Sequence, residues 1–283
     1  MADSFKVACV QVNSGNDIAE NIAAVTPLIR SAAKDGARLI TTPECVTMME
    51  DGRENVLAKA LAEKDHPALP AFSDLARETG AWIVVGSLAI RPEDGGQGEA
   101  ERIVNRSYLI DAKGKIAAHY DKIHMFDVDI EGDRIYRESA TYRPGEKAVF
   151  AQTPWGLLGM TICYDLRFPY LYRSLAQAGA RYLTIPAAFT RTTGRAHWHV
   201  LLRARAIETG CFVFAPAQCG EHAGDRLTYG HSLIIAPWGE ILAEGGEDVG
   251  VITAEIDPKR GDAARAMVPS LRNGRDFTPP EKI

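Results

Sequence analysis

The sequence lacks any apolar run long enough to cross a membrane. Its longest stretches, such as "WIVVGSLAI" at 82–90, fall well short of the roughly 20 residues that a membrane-spanning helix needs. The start, "MADSFKVACVQV", has no basic stretch followed by a long apolar run, so we expect no signal peptide. The absence of internal repeats, low-complexity tracts and linkers argues against a repeat or multi-domain array.

An excess of basic residues is also missing. The net charge is −5 and the pI is near 5.8, whereas nucleic-acid and membrane-surface partners favour basic patches, so we expect neither partner. The five cysteines are an odd number, are widely spread and include no CxxC pair. This usage fits a reducing cytoplasm and predicts neither a disulfide framework nor a zinc site.

What the sequence contains is typical of an ordinary soluble globular protein, with 46% apolar and 24% charged residues. A length of 283 residues allows one domain or two small ones, and the absence of a linker favours a single domain over residues 1–283. The polar, proline-containing segment 259–283 is expected to be a tail that packs on another subunit.

Strand-like and helix-like runs alternate along most of the chain. Strands are predicted at 5–12, 38–44, 81–90, 156–163, 182–186, 211–217 and 250–258, and helices at 21–37, 66–80, 169–178 and 197–209. Hairpins are predicted at 102–120 and 231–246, a surface loop at "EDGGQGEAER" (93–102) and a long irregular loop at 125–147. This patterning predicts an α/β fold with sheets flanked by helices.

Three reactive residues fall at strand ends or in the loops that follow them. Glu44 closes "LITTPE", Lys122 follows the first hairpin in "HYDKIHMF", and Cys163 closes "LLGMTIC". Because α/β folds bind ligands at the carboxyl ends of strands, a carboxylate, an ammonium and a thiol could converge on one pocket. Taken singly, each has an ordinary role as a loop carboxylate, a solvated surface lysine or a buried core cysteine.

The motifs around these residues resemble those of the nitrilase (carbon–nitrogen hydrolase) superfamily. They are "TTPE", "YDKIHMFDVD" and "GMTICYDLRFP", followed by "LTIPAAFTRTTGRAHWHVLLRARAIE", "PAQCG" and "YGHSLIIAPWGE". The resemblance runs from "VACVQV" to "ITAEIDP", nearly the whole chain. It implies a four-layer α-β-β-α sandwich, no cofactor and a homodimer or larger homo-oligomer.

The resemblance also implies a Glu–Lys–Cys triad. Glu44 would take the thiol proton while Cys163 attacks an amide carbon, and Lys122 with the backbone N–H of Tyr164 would hold the oxyanion. Glu44 would return the proton to departing ammonia, leaving a thioester for water to hydrolyse. Glu138, in "YRESATYRPGE", resembles the family's second active-site glutamate and would position substrate and water.

Proton transfer from Cys163 to Glu44 needs help from the site. With ordinary pKa values near 8.5 for a thiol and 4.3 for a glutamate, the transfer costs about 6 kcal/mol. Burial raises the pKa of a glutamate, and an adjacent ammonium lowers that of a thiol. We therefore expect a dehydrated Glu44, with Lys122 close to both groups, and a gap narrowed from both sides.

Residues near the nucleophile are candidates for binding the substrate. Arg167 either forms a structural salt bridge or clamps a substrate carboxylate, for which a planar guanidinium is suited. Phe189 and Thr190 could line the same pocket. Arg195 stands where the superfamily commonly has proline, and its charge could reshape the rim of the pocket.

A metal site is not expected from the histidines. His197 and His199 form an HxH pair, but positions two apart on a helix point to different faces. Cys219 and His222 lie in a predicted loop and could face the pocket, although core packing or solvent contact are the simpler roles. The dispersed motifs also argue against a papain-like Cys–His protease.

Within the superfamily the run "AHWHVLLRARAIE…PAQCG…YGHSLIIAPWG" resembles the Nit branch. This resemblance implies hydrolysis of a small carboxylate-bearing amide with release of ammonia, and favours deaminated glutathione as the substrate. The alternatives are an ω-amidase acting on α-ketoglutaramate or succinamate, a nitrilase, an amide acyltransferase, and a catalytically silent interaction module.

Overall fold

The chain folds around two β-sheets. The computed structural model describes residues 3–93, 102–131 and 134–280. Its strands are β1 (Phe5–Gln11), β2 (Ala37–Thr41), β3 (Leu61–Ala62), β4 (Trp82–Arg91), β5 (Val104–Ile110), β6 (Ile116–Asp121), β7 (Asp127–Asp129), β8 (Ile135–Arg137), β9 (Val149–Thr153), β10 (Gly156–Met160), β11 (Tyr182–Thr184), β12 (Phe212–Ala215), β13 (Cys219–His222), β14 (Arg226–Tyr229), β15 (Leu233–Ile235), β16 (Ile241–Glu244) and β17 (Gly250–Ile256). Its helices are α1 (Ile18–Lys34), α2 (Arg53–Lys59), α3 (Ala68–Thr79), α4 (Pro169–Gln177), α5 (Arg191–Thr209) and α6 (Lys259–Met267).

Each sheet mixes parallel and antiparallel pairs. The first has the order β17-β1-β2-β4-β5-β6, with β3 beside β4, and the second has the order β16-β15-β12-β11-β10-β9. Strands β1, β2 and β4 run parallel in the first sheet, as β10, β11 and β12 do in the second. β1 also pairs antiparallel with β17, so the first and last described strands are neighbours.

The side chains of β1 alternate between two cores, as a strand between two packed layers requires. Phe5 and Val7 are buried between the sheets, and the Phe5 ring stacks on Trp155 from the second sheet with centroids 4.3 Å apart. Ala8 and Val10 face α1 and α3 on the other side. The outer face of the second sheet is covered by α4 and α5 through Leu171, Tyr172, Leu175, Trp198, Leu202 and Ala206. The predicted four-layer α-β-β-α sandwich is therefore confirmed.

Most predicted elements are present, with different ends. The strand predicted at 156–163 ends at Met160, and a 3-10 turn spans Cys163–Arg167. Helix α5 starts at Arg191, six residues before its predicted start, because the hydroxyl of Thr190 accepts the N–H of Thr193 at 3.3 Å and caps the helix.

Two helices were not predicted. One is α2, and the other is α6, which occupies the first part of the predicted polar tail. Arg265 of α6 donates to the carbonyl oxygen of Thr209 at 3.0 Å, so this helix packs on its own chain. The predicted irregular loop at 125–147 contains the short hairpin of β7 and β8.

Of the predicted surface loop at 93–102, residues 94–101 lie outside the described part of the chain. Among the helices that are described, none combines the length and the apolarity needed to cross a membrane.

Candidate active site

A pocket of about 370 Å³ opens where strands of the two sheets end. Glu44 follows β2, Lys122 follows β6 and Cys163 follows β10, and all three line the pocket. They are almost completely buried, with 3%, 2% and 7% of their surface exposed. The structure thus brings together three residues from distant segments, as the sequence predicts.

Lys122 is the centre of the polar cluster. Its Nζ atom lies 2.9 Å from Oε1 of Glu44 and 2.9 Å from each carboxylate oxygen of Glu138. Asn105 on β5 donates from Nδ2 to Oε1 of Glu44 at 2.9 Å and to Oε1 of Glu138 at 3.4 Å. The other oxygen of Glu44 accepts the N–H of Ala188 at 2.8 Å. One ammonium therefore joins two carboxylates, and both oxygens of Glu44 are held in place.

The loop that carries Glu44 lies directly against β4. A Cβ atom on Gly86 would lie 2.1 Å from the carbonyl oxygen of Thr42 and 2.2 Å from that of Pro43. These are backbone atoms that no rotamer change can move aside, so only glycine permits this approach. The N–H of Thr42 also donates to the carbonyl of Val84 at 3.0 Å, which ties the loop to the strand.

Cys163 sits on a strained turn. Its φ is +45°, a left-handed conformation that costs free energy for any residue with a side chain. The N–H of Cys163 donates to the carbonyl of Pro186 at 2.9 Å. Asp165, which is fully buried, accepts the N–H of Ile162 at 2.8 Å and the hydroxyl of Tyr120 at 2.7 Å through Oδ2. These bonds hold the sulfur at the pocket.

The pKa directions differ from those expected from the sequence. Burial raises the pKa of the Cys163 thiol, and the charge of Glu44 raises it further, against the opposing effect of Lys122. Burial works to raise the pKa of Glu44, but the Lys122 ammonium outweighs it and the pKa lies below its ordinary value. Burial opposes the charge of Lys122, yet Glu138 and Glu44 hold its pKa well above the ordinary value. The gap between thiol and base is therefore widened, because Lys122 shares its charge between two carboxylates.

The residues predicted to bind substrate separate into two groups. Tyr164, Phe189 and Thr190 line the pocket. Arg167 does not: its Nη2 lies 3.2 Å from Nδ1 of His197, and its guanidinium lies 5.6 Å from the centre of the Phe189 ring. Its predicted role as a clamp for a substrate carboxylate is not supported by this position.

Three further residues raised by the sequence lie away from the pocket. Cys219 is buried, with its thiol 3.5 Å from the carbonyl of Val12. His222 is buried as well, and its Nδ1 lies 2.9 Å from the carbonyl of Ser14. Arg195 is exposed on α5. Their contacts are structural.

A different histidine grouping lies outside the pocket. Nε2 of His199 and Nδ1 of His231 lie 2.9 and 3.0 Å from the same oxygen of Glu244, and the three potential ligand atoms lie within 4.8 Å of one another. Two imidazoles and a carboxylate could hold a metal ion. His197 is not part of this group, in line with the prediction that the HxH pair does not act as one ligand set.

Sequence reasoning missed three polar residues of the site: Asn105, Asp165 and Arg226. Asp165 stands two positions after the nucleophile, and that proximity is the one local signal for it. Asn105 is hidden in the strand pattern of β5. Arg226 lines the pocket from β14 and donates from Nη2 to the carbonyl of Ala188 at 3.0 Å, and nothing in its neighbouring sequence marks it.

The chain is similar to known hydrolases over nearly its whole length. The model of the Carbon-nitrogen hydrolase family matches residues 6–266. The deaminated glutathione amidase of Yersinia enterocolitica is 39% identical over 270 residues, which cover 95% of this chain and 92% of that protein.

Solved structures agree with this similarity. Nit3 of Saccharomyces cerevisiae, a member of branch 10 of the nitrilase superfamily, is 30% identical with a TM-score of 0.84, covering 94% of this chain and 95% of that one. A double mutant of the amidase from Nesterenkonia sp. AN1 in complex with acrylamide is 25% identical with a TM-score of 0.78, covering 96% and 94%. The sequence match and the shared sandwich fold show that this chain belongs to the carbon–nitrogen hydrolase family, within the nitrilase superfamily.

Proposed function

We propose that this chain is an amidase that hydrolyses a C–N bond of a small carboxylate-bearing amide, with deaminated glutathione as its substrate. The observation that carries the amidase proposal is the buried Lys122, which bridges Glu44 and Glu138 in the pocket that also holds the Cys163 thiol. Support for the substrate comes from the relative of 39% identity whose name specifies deaminated glutathione.

In the proposed acylation Glu44 is the general base. Its carboxylate accepts the thiol proton of Cys163 while the sulfur attacks the amide carbon and a C–S bond forms. The Lys122 ammonium and the backbone N–H of Tyr164 stabilise the oxyanion. Glu44 then gives the proton to the amide nitrogen, the C–N bond breaks, and the amine leaves a thioester on Cys163.

Water completes the cycle. Glu44 removes a proton from a water molecule whose oxygen attacks the thioester carbon, the C–S bond breaks, and the proton returns to sulfur as the acid product leaves. Glu138 holds Lys122 in position and accepts the N–H of Phe126 at 2.6 Å, so its carboxylate is fixed where it can orient substrate and water.

The pKa directions of the free protein fit a guarded nucleophile. Because the pKa of the thiol is raised and that of Glu44 is lowered, the proton rests on sulfur before substrate binds. We propose that the proton moves in step with attack on the amide, when the oxyanion begins to draw on the charge of Lys122. Cys163 would then react poorly with other electrophiles.

The leaving group depends on the amide. Glutathione is γ-glutamyl-cysteinyl-glycine, so removal of its amino group leaves a γ-amide between a keto acid and cysteinylglycine. Cleavage of that bond releases the amine of cysteinylglycine. Ammonia is the expected product for primary amides such as α-ketoglutaramate.

Product analysis of the purified protein tests the proposal. Incubation with deaminated glutathione should yield cysteinylglycine and the keto diacid in equal amounts, by chromatography and mass spectrometry. Cys163→Ala should yield neither while keeping its circular dichroism spectrum, and full activity in that variant would overturn the mechanism. A higher kcat/KM for α-ketoglutaramate or succinamate than for deaminated glutathione would overturn the proposed substrate.

We also propose a homodimer or larger assembly. Apolar side chains are exposed on α5, on the turn between β15 and β16, and around the end of α6: Val200, Ile207, Trp238, Met267 and Val268. Exposed apolar side chains of this kind mark partner surfaces when they form one patch. Light scattering at micromolar concentration should give at least twice the monomer mass, and a monomer would contradict the proposal. A single hydrolase domain over residues 1–283 and a cytoplasmic location remain predictions from the sequence.

A further inference from the structure

Arg226 lies in the wall of the pocket with one edge of its guanidinium unoccupied. Its Nη2 donates one hydrogen to the carbonyl of Ala188 at 3.0 Å. Its Nε is buried and has no hydrogen-bond partner, the one such case among the buried side-chain nitrogens and oxygens of the described residues. A buried donor without an acceptor costs free energy, which a bound group could recover.

Other cations that line the pocket have acidic partners. Lys122 contacts Glu44 and Glu138, and Arg134 forms an ion pair with Asp51 at 2.6 Å. Within the described part of the chain, no carboxylate forms an ion pair with Arg226; its contacts are the carbonyl of Ala188 and the face of Tyr136, whose centre lies 5.8 Å from the guanidinium carbon. A buried cation needs an anion or strong hydrogen bonds to offset its desolvation.

The guanidinium is charged in the free protein. Burial opposes the charge, but Cys45 and Glu44 outweigh burial and raise the pKa of Arg226 above its ordinary value. The side chain therefore offers a full positive charge and at least one free N–H to whatever enters the pocket.

Arg226 is also joined to the reacting groups through one residue. The N–H of Ala188 holds Oε2 of Glu44 at 2.8 Å, and its carbonyl holds Nη2 of Arg226 at 3.0 Å. A group bound to Arg226 is therefore positioned relative to the general base by a short, rigid connection.

Resting on the proposed function, we propose that Arg226 binds a carboxylate of the amide substrate. The carboxylate would lie side-on, accepting the Nε–H and the second hydrogen of Nη2, which is the bidentate geometry that suits a guanidinium. Arg226 then selects anionic amides and sets the distance of the amide carbon from Cys163. It takes the role that the sequence suggested for Arg167, which lies outside the pocket.

Two amides of equal chain length test this selection. Succinamate carries a carboxylate where butyramide carries a methyl group. In Arg226→Gln we expect kcat/KM for succinamate to fall by about 30-fold or more, mainly through KM, because a buried charge loses its partner. For butyramide the change should stay within about threefold. Arg226→Lys should recover part of the loss, since it keeps the charge without the bidentate geometry.

Arg167→Gln is the matched control, and it should leave the ratio of the two kcat/KM values unchanged. An equal fall for both amides in Arg226→Gln would show a structural role and overturn the inference. So would a ratio that changes in Arg167→Gln and not in Arg226→Gln.

Binding provides a readout that does not require turnover. Calorimetric titration of Cys163→Ala with succinamate, α-ketoglutaramate and deaminated glutathione should show affinities at least tenfold tighter than those of Cys163→Ala/Arg226→Gln; equal affinities would overturn the inference. An effect with α-ketoglutaramate identifies the acyl-half carboxylate as the bound group, and an effect confined to deaminated glutathione identifies the glycine carboxylate. Tight binding without hydrolysis by the unmodified protein would overturn the proposed function and leave the role of Arg226 standing.

Discussion

At the scale of single residues, the charge balance around Lys122 controls the reactivity of Cys163. The ammonium is 2.9 Å from two carboxylates, Glu44 and Glu138, so its positive charge is largely neutralised before it can stabilise a thiolate. The pKa of the thiol is raised as a consequence of burial and of the charge on Glu44. Removing one carboxylate should therefore change the thiol and the turnover in opposite directions.

Glu138→Gln makes that change with little alteration in shape. We expect alkylation of Cys163 by iodoacetamide to become faster at pH 7, because Lys122 would then favour the thiolate more strongly. Hydrolysis should fall by about 100-fold or more, since the residue that orients substrate and water has lost its charge. Mass spectrometry of the Cys163 peptide and steady-state kinetics give the two rates.

Cys163→Ala/Glu138→Gln is the control for alkylation at the other cysteines. If alkylation and hydrolysis slowed together, Glu138 would be needed to hold the turn rather than to balance charge, and this account of the thiol would fail.

The sequence identifies Glu44, Lys122 and Cys163 because each stands in a motif beside a predicted strand end. It does not identify the residues that support them, whose roles depend on partners tens of positions away. Asn105 acts through Glu44, and Arg226 acts through Ala188. No local pattern of charge or hydrophobicity records such contacts.

At the scale of elements, contacts between distant segments decide where helices begin. The first turn of α5 is polar and contains Gly194, so the apolar periodicity predicts a later start. In the fold, a Cβ atom on Gly194 would lie 2.3 Å from Cγ of Tyr229, which shows how closely α5 lies against β14. Helices α2 and α6 were missed for a similar reason, since they are short and bury few apolar side chains.

The start of α3 is predicted to make stability depend on pH. Nδ1 of His66 accepts the N–H of Ala68 at 3.2 Å, which requires a neutral ring, and burial lowers the pKa of His66 to about 4 from an ordinary 6.5. Between these values the unfolded chain binds a proton that the folded chain excludes. The contribution of His66 is therefore complete above pH 6.5 and decreases as the pH falls toward 4, by at most about 1.4 kcal/mol per pH unit.

His66→Asn keeps a side-chain acceptor and removes the titrating ring. Chemical denaturation at pH 4.5, 5.5 and 7 should show a free energy of unfolding that falls less steeply with acid than in the unmodified protein. Other buried groups, such as His222, are the same in both proteins and cancel in the comparison. Parallel curves would mean that His66 does not carry the effect.

At the scale of the whole molecule, the first sheet depends on the end of the chain. β17 covers one edge of β1, from Ile256 opposite Phe5 to Gly250 opposite Gln11. A chain that ends at residue 249 should aggregate or fail to fold, because it exposes this edge and the core beneath it. A chain that ends at residue 272 removes exposed residues after α6 and should keep its melting temperature within a few degrees. Comparable solubility and melting of the two truncated chains would contradict this prediction.

The pairing of β1 with β17 also sets an order of events during synthesis. The ribosome makes β1 at the start and β17 near the end, and at about 5–20 residues per second the interval lasts on the order of 10 to 50 seconds. Throughout that time the nascent chain carries an apolar strand, "FKVACVQ", with one edge unpaired. We expect chaperones that bind extended apolar segments to reduce losses during expression, and codon changes that slow translation before β17 to increase them.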